Sequence, residues 1–394
     1  MKWVEIRMNG QLLRNFDAKH INVFGFCLVL LSFFQFSSDI VLVSQNDIFE
    51  IVKNIVEILS YMLLLYVILQ KKYTAKFFYI IITVTIFLTY GRFKSGMSAF
   101  LFAWLLIVAG KGEDYSKLAK LVYKSMLLAV IISIVYFVCT INYQEFQYQL
   151  TDGFQLGFGQ KNQAALYLSS LFLLKKSYKN TKKSVGYDLL YSIVVFMVTK
   201  SKTALIVLLL YPLLNASYEH FISKNKGGIK NITKLIVPIF FILNLLFAKL
   251  FLTSRIAQFV DKLITNRIFL NWFILTKNRL TLWGQDIQLS YTGIHNPVRD
   301  TWNNTTTIDN TYILMLLVIG IIPTIIYVIG YWKVIDKAWK EKNIKVVVIA
   351  VIIALYGWSE VKMCSIFFNF VYLYISCNTD NMRLNCIGEK MNDT

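Results

Sequence analysis

The chain has 394 residues, of which 56% are hydrophobic and only 16% charged, with a mean hydropathy of +0.54. A soluble domain carries nearer a quarter charged residues, so this composition excludes one and indicates an all-α integral membrane protein. The net charge of +19, from 41 Lys and Arg against 22 Asp and Glu, would suggest a nucleic-acid partner in a soluble protein. Here the excess sits in alternate loops, the positive-inside pattern of a multi-pass membrane protein, and no nucleic acid is expected.

The N-terminal cations Lys2, Arg7, Arg14 and Lys19 run into a first apolar segment without a small-residue cleavage pattern, so that segment is expected to stay. Apolar runs then recur along the whole chain and do not alternate with period two, which excludes a transmembrane barrel. Hydropathy predicts about twelve spans, centred near residues 33, 60, 83, 103, 130, 169, 193, 209, 243, 321, 351 and 370. The strongly basic connections contain Lys71, Lys72 and Lys76; Lys111 to Lys124; Lys175 to Lys183; Lys224 to Lys234; and Lys333 to Lys345. With the N-terminus these are expected inside, and both termini are expected there. Loops 44–49, 91–95, 142–162, 199–202 and 359–362 are expected outside, together with one large polar loop, 252–310. The reading is a single membrane domain over 1–394, without repeats or linkers. Cys27, Cys139, Cys364, Cys377 and Cys386 avoid the large loop and form no Cys-x-x-Cys pair, so neither a disulfide framework nor a zinc site is expected.

Ionisable residues at the outer ends of these spans are the candidates for function. Lys53 and Glu57 share a face of the second span; a functional role competes with simple pairing one turn apart. Arg92 and Lys94 stand in the short outer turn GRFKSG, against the positive-inside bias. Lys161 and Asn162 follow the glycines of GFGQKNQAALYL, where a helix start plus a cation makes an anion site. Lys200 and Lys202 repeat the theme in TKSKTA. Each turn alone reads as ordinary loop chemistry more readily than as a site; together on one face they suit a lipid-linked diphosphate.

Inside the large loop, residues 253–282 have helical periodicity. Ile256, Phe259, Val260, Leu263 and Ile264 form one face and Arg255 and Lys262 another; Ile268, Phe269, Trp272, Phe273 and Ile274 make a second stripe. Short helices of this kind lie in the membrane interface, with Arg255, Lys262, Arg267 and Lys277 level with lipid phosphates; non-specific attraction to anionic lipid is the plainer alternative. His295, in GIHNPVRD, is the one histidine expected outside and suits a general base, or is an idle surface residue. Asp309 and Asn310 close the loop; a helix cap explains them as well as a proton acceptor does. Trp272, Trp283, Tyr291 and Trp302 either stack on sugar rings or anchor at the interface. The chain lacks a Walker A motif, a G-x-G-x-x-G, an H-E-x-x-H and an Asp-x-Asp pair. No cofactor and no metal are therefore expected.

These motifs together resemble the bacterial Wzy-type polysaccharide repeat-unit polymerases, within the O-antigen polymerase and ligase superfamily. GFGQKNQAALYL resembles that family's Gly-rich turn before an Asn and a helix, placing Asn162 in the pattern. TKSKTALIVLLL resembles its Ser-Arg-Thr-Ala turn, with Lys202 where Arg is usual. RIFLNWFILTKNRLTLWGQD resembles its outer-loop stretch through Arg267, Trp272 and Gly284, lacking the second glycine. IDNTYILMLLVIG resembles its loop exit through Asp309, Asn310, Tyr312 and Gly320. The resemblance implies polymerisation of undecaprenyl-diphosphate-linked oligosaccharides at the outer face of the bacterial cytoplasmic membrane, by metal-independent, inverting glycosyl transfer. Arg92, Lys94, Lys161, Asn162, Lys202, Arg255, Arg267 and Asn310 would then bind substrate, with His295 or Asp309 taking the acceptor's proton. A flippase and a chain-length regulator would be partner proteins. A lipid-oligosaccharide flippase and a ligase of the same superfamily are the competing expectations.

Overall fold

A computed structural model describes residues 10–44, 46–179, 185–223, 227–263, 267–287 and 308–378. Among them the chain is helical, with a single isolated bridge between Asp114 and Asn378. The helices are α1 (Gly10–Ser37), α2 (Val41–Ser44), α3 (Asp47–Gln70), α4 (Ala75–Ser95), α5 (Ala99–Ala109), α6 (Tyr115–Thr140), α7 (Tyr143–Asp152) and α8 (Lys161–Tyr178). They continue with α9 (Val185–Thr199), α10 (Lys202–Ser223), α11 (Gly227–Leu250), α12 (Arg255–Leu263), α13 (Arg267–Lys277), α14 (Thr311–Leu314), α15 (Ile321–Lys340) and α16 (Ile344–Tyr356).

Short polar residues start these helices where the apolar runs begin. Asn46 accepts from the backbone N–H of Ile48 and Phe49 to open α3, Thr74 from Phe77 to open α4, and Asp114 from Ser116 to open α6. Each such cap contributes about 1 kcal/mol. At the far end of α4, Gly96 adopts φ 70°, and Arg92 and Lys94 in the last turn complement the helix dipole.

The protein is a multi-pass membrane protein. Among the described residues, five helices are long and apolar enough to cross a membrane: α3, α4, α6, Lys202–Phe221 of α10 and Gly228–Leu250 of α11. Val23–Ser37, α5, α9 and α16 are shorter apolar helices. Only 22% of the most apolar window of α3 and 17% of that of α4 are buried inside the protein. The remainder, including Ile51, Ile55, Leu59 and Met62, faces outward, a surface that water disfavours and lipid accepts. Helix α16 is the opposite: Val346 through Ala354 is buried throughout.

Two of the dozen predicted runs are not regular α-helix, because apolar content does not distinguish a lipid-facing helix from buried irregular chain. The run near residue 321 is broken: α14 continues as a π-helical turn (Met315–Ile319), and Gly320 at φ 100° separates it from α15. The run near 370 forms two short 3₁₀ turns, Val361–Cys364 and Phe370–Ile375. Non-helical backbone is tolerated at this depth only when packed in protein, and here Ile366, Phe367, Phe368, Val371 and Leu373 are all buried. Asn369 donates to the Tyr327 hydroxyl at 2.8 Å and to the Met363 carbonyl at 3.2 Å.

Contacts between the described connections fall into two groups, a basic end and a loop end. At the basic end, Lys71 pairs with Glu113 at 2.9 Å, Lys230 and Lys234 both pair with Asp336 at 2.7 Å, and Lys337 donates to the Tyr374 carbonyl at 2.8 Å. At the other end, the Val41 N–H donates to Gly157 O, Phe154 N–H to Val198 O, and Thr311 N–H to Gly357 O.

Candidate functional site

Helix α13 owes its position to Asp261 at the end of α12. That buried carboxylate accepts from the N–H groups of Ile268 at 2.7 Å and Phe269 at 3.0 Å. An anion on the first-turn donors of a helix satisfies both its free N–H groups and its dipole. Arg267, Asn271 and Ile274 then share the face turned into the protein, and all three are buried. This corrects one expectation: Arg267 does not lie among lipid phosphates. Arg255 does remain exposed, on a helix whose Ile256 and Phe259 are also exposed.

The guanidinium of Arg267 reaches the end of the bundle where three segments meet. Its Nη2 lies 3.9 Å from Glu360 Oε1, and its Nη1 donates a long 3.5 Å hydrogen bond to the Asp309 carbonyl. The Arg267 and Glu360 side chains are only 10% and 13% exposed, yet the contact is too long for a hydrogen-bonded pair. Glu360 is fixed through its backbone, whose carbonyl accepts from the Thr311 hydroxyl at 2.6 Å. Burial pushes its carboxyl up from 4.5 to about 7; Arg267 opposes that rise, Asp309 adds to it and Lys362 opposes it.

Asn310 is wholly buried and caps α14, accepting from the Tyr312 and Ile313 N–H groups at 2.8 and 3.2 Å. Its amide donates to Asn244 Oδ1 at 2.6 Å and to Trp358 O at 2.9 Å. Asn310, and not Asp309, is thus the cap, and its side chain is fully engaged in structure rather than offered to a ligand. Asp309 is half-buried beside it. On the far side of Glu360, Lys362 pairs with Asp39 at 2.5 Å, and Asp39 accepts from the Tyr167 hydroxyl at 2.5 Å.

The two segments that carry the loop motifs also touch. The strap 279–287 runs against the break at Gly320: Ile321 N–H donates to Thr281 O, Ile322 N–H to Leu282 O and Gln285 N–H to Val318 O, each at 3.0 Å. A Cβ at Gly320 would collide with the backbone nitrogen of Gly284. Trp283, within the strap, packs on Phe87 and Tyr90 of α4.

The other predicted residues fall elsewhere. Lys161 is paired with Asp152, 2.6 Å to Oδ1 and 2.8 Å to the carbonyl, so its charge is already answered; Asn162 beside it is half-buried. Lys202 is exposed at the start of α10. Arg92 stacks on the Tyr61 ring at 5.2 Å and Lys94 on that of Tyr90 at 5.8 Å. Arg92, Lys94, Lys161 and Lys202 therefore form no single side-chain cluster. His295 lies outside the described residues, as do Tyr291 and Trp302. The sequence reading overlooked Glu360, Lys362, Asp39 and Asn244. The signal for the first two was the charged turn WSEVK between two apolar runs, the same signal that drew attention to GRFKSG.

Compared with protein-family models, with curated proteins and with solved structures, the chain matches none.

Proposed function

We propose that this protein polymerises polyprenyl-diphosphate-linked oligosaccharides into a capsular or exopolysaccharide, at the outer face of the bacterial cytoplasmic membrane. In this reading the chain has about twelve membrane passages, the buried crossing at 361–378 among them, and 252–310 is its large outer loop. The observation that carries the proposal is the buried Arg267, 3.9 Å from the Glu360 carboxylate, whose burial raises it to about 7. The motif resemblance over 157–168, 199–210, 267–286 and 308–320 supports the same substrate.

The chemistry follows from the two groups. An acceptor sugar hydroxyl attacks the anomeric carbon of the donor chain. The new carbon–oxygen bond forms as the bond to the diphosphate breaks, and the leaving lipid diphosphate takes the electron pair. Arg267 neutralises the charge that grows on that diphosphate, which is where preorganised cations contribute most. Glu360 takes the hydroxyl proton; a carboxyl at about 7 is ionised enough to accept it and basic enough to drive the transfer. Glu360 is preferred to Asp309 because its carboxylate faces the guanidinium, whereas Asp309 meets it through the backbone carbonyl.

The test is surface-polysaccharide length in a deletion strain complemented with wild type or Arg267→Ala at matched membrane level. The expected result is long polymer with wild type and single repeat units with the variant. Normal polymer in the uncomplemented deletion strain would refute the assignment. Accumulation of lipid-linked units on the inner face would favour a flippase instead.

A further inference from the structure

The charged turn WSEVK carries two ionisable side chains, and the proposed reaction uses only Glu360. Lys362 follows two residues later, and the backbone of both is fixed. The Thr311 hydroxyl lies 2.6 Å from the Glu360 carbonyl and 3.1 Å from the Val361 carbonyl, and donates to that pair. The Lys362 carbonyl accepts from the Ser365 N–H at 3.0 Å, closing the 3₁₀ turn Val361–Cys364. The Lys362 ammonium is held by another part of the chain: it stands 2.5 Å from Asp39 Oδ2, in the link between α1 and α2. The same oxygen accepts from the Tyr167 hydroxyl of α8 at 2.5 Å, and the Tyr167 ring is wholly buried, stacked on Phe158 at 4.3 Å. The ends of α1 and the Glu360 turn are thereby tied to α8 at one point. The Lys362 and Asp39 side chains are only 21% and 14% exposed, so salt and solvent screen their charges weakly.

Ionisable groups reach the Glu360 carboxyl from several segments. Arg267 approaches from α13 at 3.9 Å, and Asp309 acts from the segment before α14. The Tyr356 hydroxyl, on α16, is within electrostatic reach of both Glu360 and Arg267. Lys362 acts from the same turn, and its positive charge favours the ionised carboxylate, as that of Arg267 does. The two cations differ in what else they hold. Arg267 has no short carboxylate contact, so a bound diphosphate would take up its charge. Lys362 is committed to Asp39, and a ligand at Arg267 leaves it in place. An arriving diphosphate brings negative charge, which favours protonated Glu360. A cation that the ligand does not consume works against that change.

We propose that Lys362 is a positioning residue for Glu360: tethered by Asp39, it supplies a permanent positive charge that keeps Glu360 able to take the acceptor's proton while diphosphate occupies Arg267. The proton's source, a sugar hydroxyl, rests on the polymerase reading; the effect of Lys362 on Glu360 does not. The sign is fixed. Without the Lys362 charge the carboxyl binds its proton more tightly, so its midpoint moves up from about 7. Asp39 acts through Lys362, by deciding where that charge sits.

The test titrates the full-length protein in phosphatidylcholine nanodiscs by infrared difference spectroscopy, with the Glu360 carboxyl band assigned by its loss in Glu360→Gln. The pH–rate profile of polymerisation is measured on the same preparations. Lys362→Met should raise the Glu360 midpoint by about one pH unit, the lower end of what a neighbouring charge does. The rate at pH 7 should fall about fivefold, as the ionised fraction does, and recover at higher pH. Lys362→Arg, which keeps the charge, should keep the wild-type midpoint. Lys362→Met leaves Asp39 without its cation, so the double variant Lys362→Met with Asp39→Asn is titrated beside it; its midpoint should also rise, by less. A midpoint unchanged in both Met variants, with activity lost equally at every pH, makes Lys362 a structural brace and overturns the inference. Midpoints that shift as expected in a protein that makes no polymer uphold the role of Lys362 and overturn the polymerase reading alone.

Discussion

Arg267 at the loop end is used differently from the lysines of the basic end. At the basic end the lysine contacts are short: Lys71 to Glu113 at 2.9 Å, Lys230 and Lys234 to one shared Asp336 at 2.7 Å. Asp336 is held below the usual carboxylate range by its two lysines, against the effect of burial. At the loop end the Arg267 side chain is more buried than those three lysines, yet its carboxylate partner stands at 3.9 Å. Short pairs that keep some contact with solvent are saturated and contribute little beyond local order. A buried and unsaturated pair costs stability and keeps hydrogen-bonding capacity for a ligand. The difference sets Arg267 apart as a buried cation with capacity left for a ligand, whereas Lys362 and Lys161 at the same end stand 2.5 and 2.6 Å from Asp39 and Asp152.

That contrast fails if the loop-end charges prove dispensable. Glu360→Gln removes the proposed proton acceptor and should cut polymerisation by about 10²–10⁴-fold, the usual worth of a general base. Arg267→Ala should cost about 10²–10³-fold. Both are measured with purified protein and a lipid-linked unit. Stability gives an independent view. A carboxyl raised to about 7 from 4.5 is protonated more readily in the folded protein. Its stabilising contribution is full below pH 4.5 and is lost as pH rises through 7. The melting temperature in detergent should therefore fall between these values in wild type and fall less in Glu360→Gln.

Gly320→Ala probes the loop end in another way, since it perturbs the backbone that the strap leans on. A side chain at φ 100°, against the Gly284 nitrogen, should destabilise by about 1–3 kcal/mol, read as a lower melting temperature. Asp261→Ala should cost about 1 kcal/mol through the lost cap and lower activity by loosening α13 under Arg267. Lys230→Ala, at the basic end, should change stability by less than about 1 kcal/mol and leave polymer length alone.

Much of this organisation was legible in the sequence. Apolar runs predicted a helical membrane protein, and the described residues are helical with five helices long and apolar enough to cross a membrane. Helical periodicity over 253–282 predicted α12 and α13. The direction in which Arg267 faces was not legible, because it depends on Asp261 of one helix capping the start of the next. The break at Gly320 and the 3₁₀ crossing near Phe370 were also hidden. Both are apolar by composition, and only tertiary packing decides that their backbone need not be α-helical. Glu360 was hidden for a related reason: its burial and its approach to Arg267 join positions 93 residues apart in sequence. Lys161 shows the reverse error, a loop cation whose promise ended at Asp152.

The assignment of Glu360 as proton acceptor stands or falls on the pH–rate profile of polymerisation by purified wild type and Glu360→Gln. The wild-type rate should rise through about pH 7, where the Glu360 carboxyl ionises, and the variant should show a low rate without that rise. A Glu360→Gln protein with the wild-type rate and the same rise would contradict this, and would move the proton acceptor to another residue of the loop.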